Sequence, residues 1–310
     1  MPLLNLIRTL LFAFILLHAF VVQSAEFMSL GFLPGGMGSR ATGISADGTV
    51  VVGWSGSDIG DQAFLWTEAS GMVGLGFLPG GMRSYATGVS AAGTVVVGTS
   101  ESDIGNQAFR WTEAGGMVGL GFLPGGMRSG ATGVSADGTG VVGWSESEIG
   151  DQAFRWTEAG GMVGLGYLYE SHEDSVANGI SGNGAVIVGL SSYTSPYYDE
   201  NFGNETIKHG FRWTEAGGME KITGGARTYG QVAYGVSGDG TVVVGAVETT
   251  GSDGYFSEPY RWTMSYGLEE LGNLNTSNFG RANGVSADAV SYTHLRAHET
   301  LRSSRMPSSA

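Results

Sequence analysis

Three short loops carry the residues best suited to chemistry. Ser57-Asp58-Ile59-Gly60-Asp61, Ser102-Asp103-Ile104-Gly105-Asn106 and Ser147-Glu148-Ile149-Gly150-Asp151 recur 45 residues apart. A calcium ion takes about six to eight oxygen ligands from carboxylates and carbonyls on turning backbone. Asp58, Asp61, Asp103, Glu148 and Asp151 are therefore candidate Ca2+ ligands. Two acidic groups per loop are few, and no EF-hand or calcium-binding nonapeptide pattern surrounds them. A solvated turn uses the same residue types and is the preferred reading, with no cofactor expected and calcium as the alternative. Calcium is the one cofactor these residues suggest, and nothing else in the chain asks for one.

Acid–base and nucleophilic chemistry find little support. Of five histidines, His18 lies in an N-terminal apolar segment, and His294 and His298 lie near the C-terminus, leaving His172 and His209. His209 precedes Phe211-Arg212-Trp213 and reads as a packing or hydrogen-bonding group at a strand start. No serine or cysteine nucleophile motif accompanies it, so no residue is assigned a catalytic role. An enzyme acting on extracellular polysaccharide is the alternative reading. Its site would come from residues 167–174 and 193–201, where Tyr, His, Glu and Asp gather, with Glu173 and Asp174 the groups to test. Arg110, Arg155, Arg212 and Arg261 each sit between Phe or Tyr and Trp. They suit pairing with an acid of a neighbouring repeat, or stacking on a ring. Trp66, Trp111, Trp156, Trp213 and Trp262 read as packing between repeats, with carbohydrate stacking as the functional rival.

The elements that position these groups are copies of one unit. Gly-Phe-Leu-Pro-Gly-Gly begins at Gly31, Gly76 and Gly121, a spacing of 45 residues. Residues 71–115 and 116–160 differ only at Tyr85/Gly130, Ala92/Asp137, Val95/Gly140, Thr99/Trp144, Asp103/Glu148 and Asn106/Asp151. A fixed period of roughly 20–50 residues signals a solenoid, propeller or array. Within one unit, Gly71 to Leu78 is an apolar strand candidate closed by Pro79-Gly80-Gly81, a turn signal. Ala86-Thr87-Gly88-Val89-Ser90 is a short strand, followed by a turn that is Asp47-Gly48 or Asp137-Gly138 in other copies. Asp-Gly between β-rich runs is a strong hairpin signal, because a type I′ turn needs positive φ at both central positions. Thr-Val-Val-Val-Gly-Thr from Thr94 is the clearest strand. In Gln107-Ala108-Phe109-Arg110-Trp111-Thr112, alternation puts Phe109 and Trp111 on one face and Ala108, Arg110 and Thr112 on the other.

Four short strands per unit without any helical period predict an all-β fold, a β-propeller-like array with blades of about 45 residues. Five units are complete and a sixth begins near residue 278; an open β-solenoid is the rival architecture. Residues 191–208 and 249–258 read as insertions at one loop, between the second and third strands of their units. Length variation confined to one edge marks a binding face.

The ends read differently from the middle. Residues 1–25 combine Arg8, an apolar run from Leu10 to Val22 and small residues at Ser24 and Ala25, the pattern of a secretory signal peptide. Roughly 20 apolar residues are needed to span a bilayer, more than this run supplies, so no membrane span is expected after cleavage. The expected domains are a signal peptide at 1–25, the β-repeat domain at 26–289 and an unstructured tail at 290–310. There is no cysteine, so no disulfide framework operates. Net charge is −14 over the whole chain, and such acidity repels phosphate backbones, which argues against a nucleic-acid partner.

Two resemblances add to this reading. Ser-Ala-Asp-Gly-Thr-Val-Val-Val-Gly, followed by Gln-Ala-Phe-Arg-Trp-Thr and Gly-Met-Val-Gly-Leu-Gly, resembles the bacterial extracellular HAF-repeat family over roughly residues 28–288. The His of that family's His-Ala-Phe is Gln62, Gln107 and Gln152 in three copies here and is kept only at His209-Gly210-Phe211. The resemblance implies a bacterial, exported repeat protein, secreted or at the cell surface, and carries no catalytic residues. Residues 290–300, Val-Ser-Tyr-Thr-His-Leu-Arg-Ala-His-Glu-Thr, resemble a translated sequencing-library adapter, which implies an artefactual tail without repeat-like pairing. Near-identical copies present the same groups repeatedly, whereas catalysis needs different groups converging on one point. The expected function is thus a non-enzymatic exported scaffold or binding module, with a protein or glycan partner at the hairpin edge.

Overall fold

The computed structural model describes residues 28–169, 174–199, 203–224, 230–251, 254–273, 279–289 and 292–296. Their chain forms successive four-stranded antiparallel sheets. The first holds β1 (Ser39–Ile44), β2 (Val50–Ser55), β3 (Gln62–Thr67) and β4 (Gly71–Gly74). The second holds β5 (Ser84–Val89), β6 (Val95–Ser100), β7 (Gln107–Thr112) and β8 (Gly116–Gly119). The third holds β9 (Ser129–Val134), β10 (Gly140–Ser147), β11 (Gly150–Thr157) and β12 (Gly161–Gly164). The fourth holds β13 (Asp174–Ile180), β14 (Ile187–Asp199), β15 (Gly203–Thr214) and β16 (Gly218–Lys221). The fifth holds β17 (Gly230–Val236), β18 (Val242–Gly251), β19 (Gly254–Thr263) and β20 (Gly267–Glu270). A sixth begins with β21 (Gly280–Val285) and β22 (Tyr292–Arg296). One parallel bridge, Lys208 to Gly230, joins the fourth sheet to the fifth.

Each turn between the first two strands is built by its own side chains. Asp47 Oδ1 accepts hydrogen bonds from Ser45 Oγ (2.7 Å), Thr49 N (3.0 Å) and Thr49 Oγ1 (2.8 Å). These donors favour the ionised form and hold the Asp47 carboxyl at about 2, below its ordinary value. Asp137 and Asp239 repeat the arrangement. The glycine after the Asp adopts positive φ, 75° at Gly48 and Gly138, which costs glycine little. On the second strand, Gly53, Gly98, Gly143, Gly189 and Gly245 face a first strand so near that an added Cβ would run into its carbonyl oxygen. A register shift on the first strand, such as that between Ala86 and Gly88, accompanies each close approach.

Packing follows from the alternation. Phe64, Phe109, Phe154 and Phe211 are fully buried, with Tyr260 at the same position in the fifth sheet. Phe109 meets Val52, Ala63 and Ala86, with Trp111 half-buried beside it. Ala108, on the opposite face of β7, packs with Val95, Val97 and Phe154. The Val run is buried on both faces, as an inner sheet strand requires.

Polar stitches join the sheets at their first strands. Thr42 Oγ1 donates to Ala86 O (2.8 Å), Thr87 Oγ1 to Ala131 O (2.8 Å) and Thr132 Oγ1 to Ala177 O (2.6 Å). Backbone bonds from Ala46 to Ala91, Ala91 to Ala136 and Ala136 to Gly182 run beside them. Contact between neighbouring sheets runs mainly through their first three strands, while the fourth strands lie at the outer margin with Val73, Val118 and Val163 exposed. Sheets held together at their first strands and spreading towards their fourth make the predicted propeller-like array. β1 is exposed along most of its length, unlike β5 and β9. Among the described residues no helix is long and apolar enough to cross a membrane.

Three expectations need amendment. Gly71 to Leu78 is not one strand: β4 stops at Gly74, Gly76 turns with φ 73°, and β4 completes the preceding sheet. Much of the insertion at 191–208 is not loop, because β14 and β15 continue the ladder outward through Tyr193 opposite Ile207 and Thr194 opposite Thr206. β18 and β19 do the same through Thr250 opposite Tyr255. Aromatic and β-branched residues suit that extension. The tail, expected to be unpaired, pairs in part: Tyr292 lies opposite Val285 and Arg296 opposite Gly280, the register of β1 and β2. Residues 285–292 have the same spacing as 44–51, which lets the backbone reach its partner. Ala289 then stands where the complete sheets have glycine and takes φ 62°, strained for a residue with a Cβ. The segment 1–25, expected to be a signal peptide, residues 297–310, His172 and Glu173 lie outside the described residues.

Candidate functional site

In an antiparallel four-strand meander, the hairpin between strands two and three and the connection between sheets share one edge. That edge carries the three acidic loops and the Pro-Gly-Gly turns, and the two are bonded together. Asp58 N donates to Pro34 O (3.0 Å), Asp103 N to Pro79 O (2.9 Å) and Glu148 N to Pro124 O (3.1 Å). Gly60, at φ 126°, lies against the carbonyl of Met82, and Gly105 lies likewise against Met127. The tips therefore bring Ile59 near Met82 and Ile104 near Met127. All four are exposed, as are Met37 and Ile149. Single exposed apolar side chains are ordinary, but here Ile and Met return at the same places in successive units. Arg83–Glu101 (4.0 Å) and Arg128–Glu146 (2.9 Å) flank the row.

The candidate calcium ligands take separate partners. The Asp58 carboxylate lies against Gly35 and that of Asp103 against Gly80. Asp61 Oδ2 accepts from Tyr85 OH (3.0 Å), and burial, ahead of this bond, raises the Tyr85 hydroxyl. Glu148 packs on Gly125. Asp151 is raised from the ordinary carboxylate value, first by burial and then by the charges of Asp174 and Glu146. Among the described residues no three His, Cys, Asp or Glu side chains gather as a metal-sized group.

The fourth sheet adds an aromatic cluster at its extended hairpin. Tyr169 OH lies 2.8 Å from His209 Nδ1, Tyr193 stacks on the imidazole with centroids 6.0 Å apart, and the two tyrosine rings are 4.5 Å apart. Burial, then the charge of Lys221, lowers His209 to about 4, and burial raises Tyr169. His209 is thus neutral at pH 7. It serves as a buried hydrogen-bonding group, but within β15 rather than at the strand start its place in the sequence indicated, because the extended hairpin moves the start of that strand back to Gly203. Tyr169 and Tyr193 belong to the two segments, 167–174 and 193–201, that the sequence grouped as the alternative site. What the sequence did not show is that a connection and strand β14 bring them onto His209.

The buried serines are structural. Ser84 Oγ accepts from Ala63 N (2.9 Å) and donates to Gly76 O (2.6 Å), and Ser129 repeats this with Ala108 and Gly121. The arginines lie between sheets: Arg110 Nε donates to Gly138 O (3.4 Å), and Arg155 stands 3.8 Å from Glu215 of the next sheet.

No protein-family model and no curated protein matches the sequence. Among solved structures, a prolyl endopeptidase matches over 81% of this chain and 38% of its own, at 10% identity and a TM-score of 0.53. TolB from Acinetobacter baumannii matches over 73% of this chain and 52% of its own, at 12% identity and a TM-score of 0.47. Dipeptidyl peptidase 4 from Porphyromonas gingivalis matches over 79% and 40%, at 11% identity and 0.45. This chain thus spans about half of that TolB and less of either peptidase. Identities this low speak to the fold alone.

Proposed function

We propose that this chain is an exported, non-enzymatic binding scaffold of bacterial origin, at or released from the cell surface, and that the hairpin edge engages a protein or glycan. The observation that carries the reading is the recurrent exposed row of Ile59, Ile104 and Ile149 with Met37, Met82 and Met127 on that edge. Its strands repeat almost unchanged while the hairpins of the fourth and fifth sheets lengthen, which fits a constant frame carrying a variable contact surface. The acidic side chains beside the row favour partners with basic as well as apolar groups.

Panning a displayed-peptide library and a glycan array with the purified chain tests this. The expected ligands lose roughly tenfold or more of their affinity when Ile59, Ile104 and Ile149 are changed together to Ser, with the melting temperature little altered. Ligands indifferent to that change would place recognition elsewhere. The Tyr169–His209 pair keeps a polysaccharide-cleaving enzyme as the second reading. Turnover of a polysaccharide that disappears in Asp174→Asn would favour it. Intact mass of the secreted protein reads the export claim, with cleavage after Ala25 expected.

A further inference from the structure

The opposite edge of the array carries the turns between strands one and two and between strands three and four. Between neighbouring sheets these turns frame a recurring cleft. One wall is the third-strand arginine of one sheet. The other is the first turn and the Trp-Thr segment of the next. Arg110, Thr139 and Trp156 line one such cleft, Arg155, Ala185 and Trp213 the next, and Arg212, Thr241 and Trp262 the last, which measures about 440 Å³.

The clefts differ in how the arginine is satisfied. Two residues after each wall tryptophan the repeat has an acid: Glu158 after Trp156 and Glu215 after Trp213. Arg155 uses Glu215 at 3.8 Å, and Arg110 has the Gly138 carbonyl at 3.4 Å. After Trp262 the same position is Met264, an exposed apolar side chain. Asp239, the other acid on this cleft, is occupied by its own turn through Ser237 Oγ (2.6 Å), Thr241 N (3.0 Å) and Thr241 Oγ1 (2.9 Å). Arg212 is partly buried and makes no hydrogen bond or ion pair among the described residues. Arg261, on the far wall, reaches Glu269 only at 3.9 Å. Trp262 Nε1 is buried without a hydrogen-bond partner among the described residues. The cleft therefore concentrates unsatisfied donors and positive charge in an otherwise acidic chain.

We propose that this cleft binds a carboxylate-bearing sugar, a uronic acid, whose carboxylate takes the place beside Arg212 that a glutamate fills in the preceding cleft. A guanidinium pairs with a planar carboxylate through two parallel N–H donors. Trp262 and Tyr266 offer aromatic surface to a sugar ring, and Thr241, Thr263 and Ser265 offer hydroxyls. The volume suits about one monosaccharide, free or as a unit of a polymer. The site lies on the edge away from the hairpins and does not depend on the reading of that edge.

Titration of the full chain with glucuronate, a tetrameric oligouronate and glucose, followed by tryptophan fluorescence and calorimetry, tests the proposal. Expected are saturable binding of glucuronate, none of glucose at equal concentration, and a loss of roughly tenfold or more in Arg212→Gln. Met264→Glu restores the acid of the repeat and should compete with the ligand, weakening glucuronate to a similar extent without lowering the melting temperature. It keeps the test decisive if Arg212→Gln does not fold. Tighter binding of the oligomer than of glucuronate identifies a polymer as the source, and equal affinities identify the free acid. No saturable glucuronate binding, equal binding of glucose, or glucuronate affinity unchanged in Met264→Glu would overturn the proposal.

Discussion

The second and third sheets differ at a handful of positions, while the fourth and fifth keep the same frame with other contents. Short hairpins become the extended pairs β14–β15 and β18–β19. Gln62, Gln107 and Gln152 become His209, and the buried phenylalanine of four sheets becomes Tyr260. What does not change includes the strand-two glycine, the first-turn serine and the Trp-Thr pair of the third strand, while the apolar run before that glycine varies only at Gly140 and Ile187. Hairpin length and the residues at the hairpin edge have varied, so departures late in the array mark places where something other than the fold selects the residue.

The sharpest break of this comparison is Gly98→Ala. A Cβ at Gly98 would overlap Tyr85 O and approach Ala86 Cα, and backbone cannot yield as a side-chain end does. A loss on the order of 3 kcal/mol or more is expected in urea unfolding, whereas substitutions at variable Tyr85 should cost far less. A loss under about 1 kcal/mol would mean that the ladder relaxes more easily than the five-fold recurrence of glycine implies.

Tyr260→Phe should move stability the other way. Its hydroxyl is fully buried with no hydrogen-bond partner among the described residues, and burial drives its pKa far above the ordinary phenol value. Restoring the phenylalanine of the other sheets removes an unsatisfied group and should stabilise by about 1 kcal/mol or more, read as a higher urea midpoint. A fall in that midpoint would reveal a hidden partner for the hydroxyl.

The fourth sheet should carry a histidine-linked pH dependence that the first three, with glutamine at that position, do not have. His209 is lowered in the folded chain from its ordinary 6.5 to about 4, so the unfolded chain takes up the proton first. Its contribution is complete above about pH 6.5 and is lost as pH falls towards 4. His209→Gln, the residue of the earlier copies, should flatten the urea midpoint across that window. An unchanged slope would assign the pH dependence to other groups.

The smallest expected effect is that of Asp137→Asn. Asn183 already occupies the equivalent turn, accepting from Ser181 Oγ (2.6 Å) and Ala185 N (3.0 Å) through its amide oxygen. A change of no more than about 0.5 kcal/mol at pH 7 is expected, and a larger one would show that the ionised form matters to this turn.

The period, the place of the Asp-Gly turns and the two faces of the Phe-x-Trp strand were legible because each is local and repeated. The type I′ turn was not borne out, since the glycine alone takes positive φ while the Asp side chain bonds back into the turn. The assignment of Met72 and Val73 to the end of one sheet rather than the start of the next was not. An apolar run reads the same from either side, and only positive φ at Gly76 divides it. The inserted segments read as loops because their alternation is broken by Pro196 and polar residues, yet cross-strand pairing carried the ladder onward. At the candidate sites, the acids and arginines were visible as types and spacings. The meeting of Tyr169 and Tyr193 with His209 and the unpaired state of Arg212 among the described residues were not, because each depends on which strands and connections the fold brings side by side.

The threonine stitches at the first strands have a further consequence. Thr42, Thr87 and Thr132 each supply one half of a joint whose other half is a carbonyl 44 or 45 residues onward. Any stretch of one period contains a complete outgoing half and a complete incoming half. Copying such a stretch in tandem therefore leaves no dangling bond at either splice, and removing one heals without a gap. The joint makes blade number easy to change by unequal recombination while blade geometry stays fixed, and the near-identity of residues 71–115 and 116–160 is what such copying would leave.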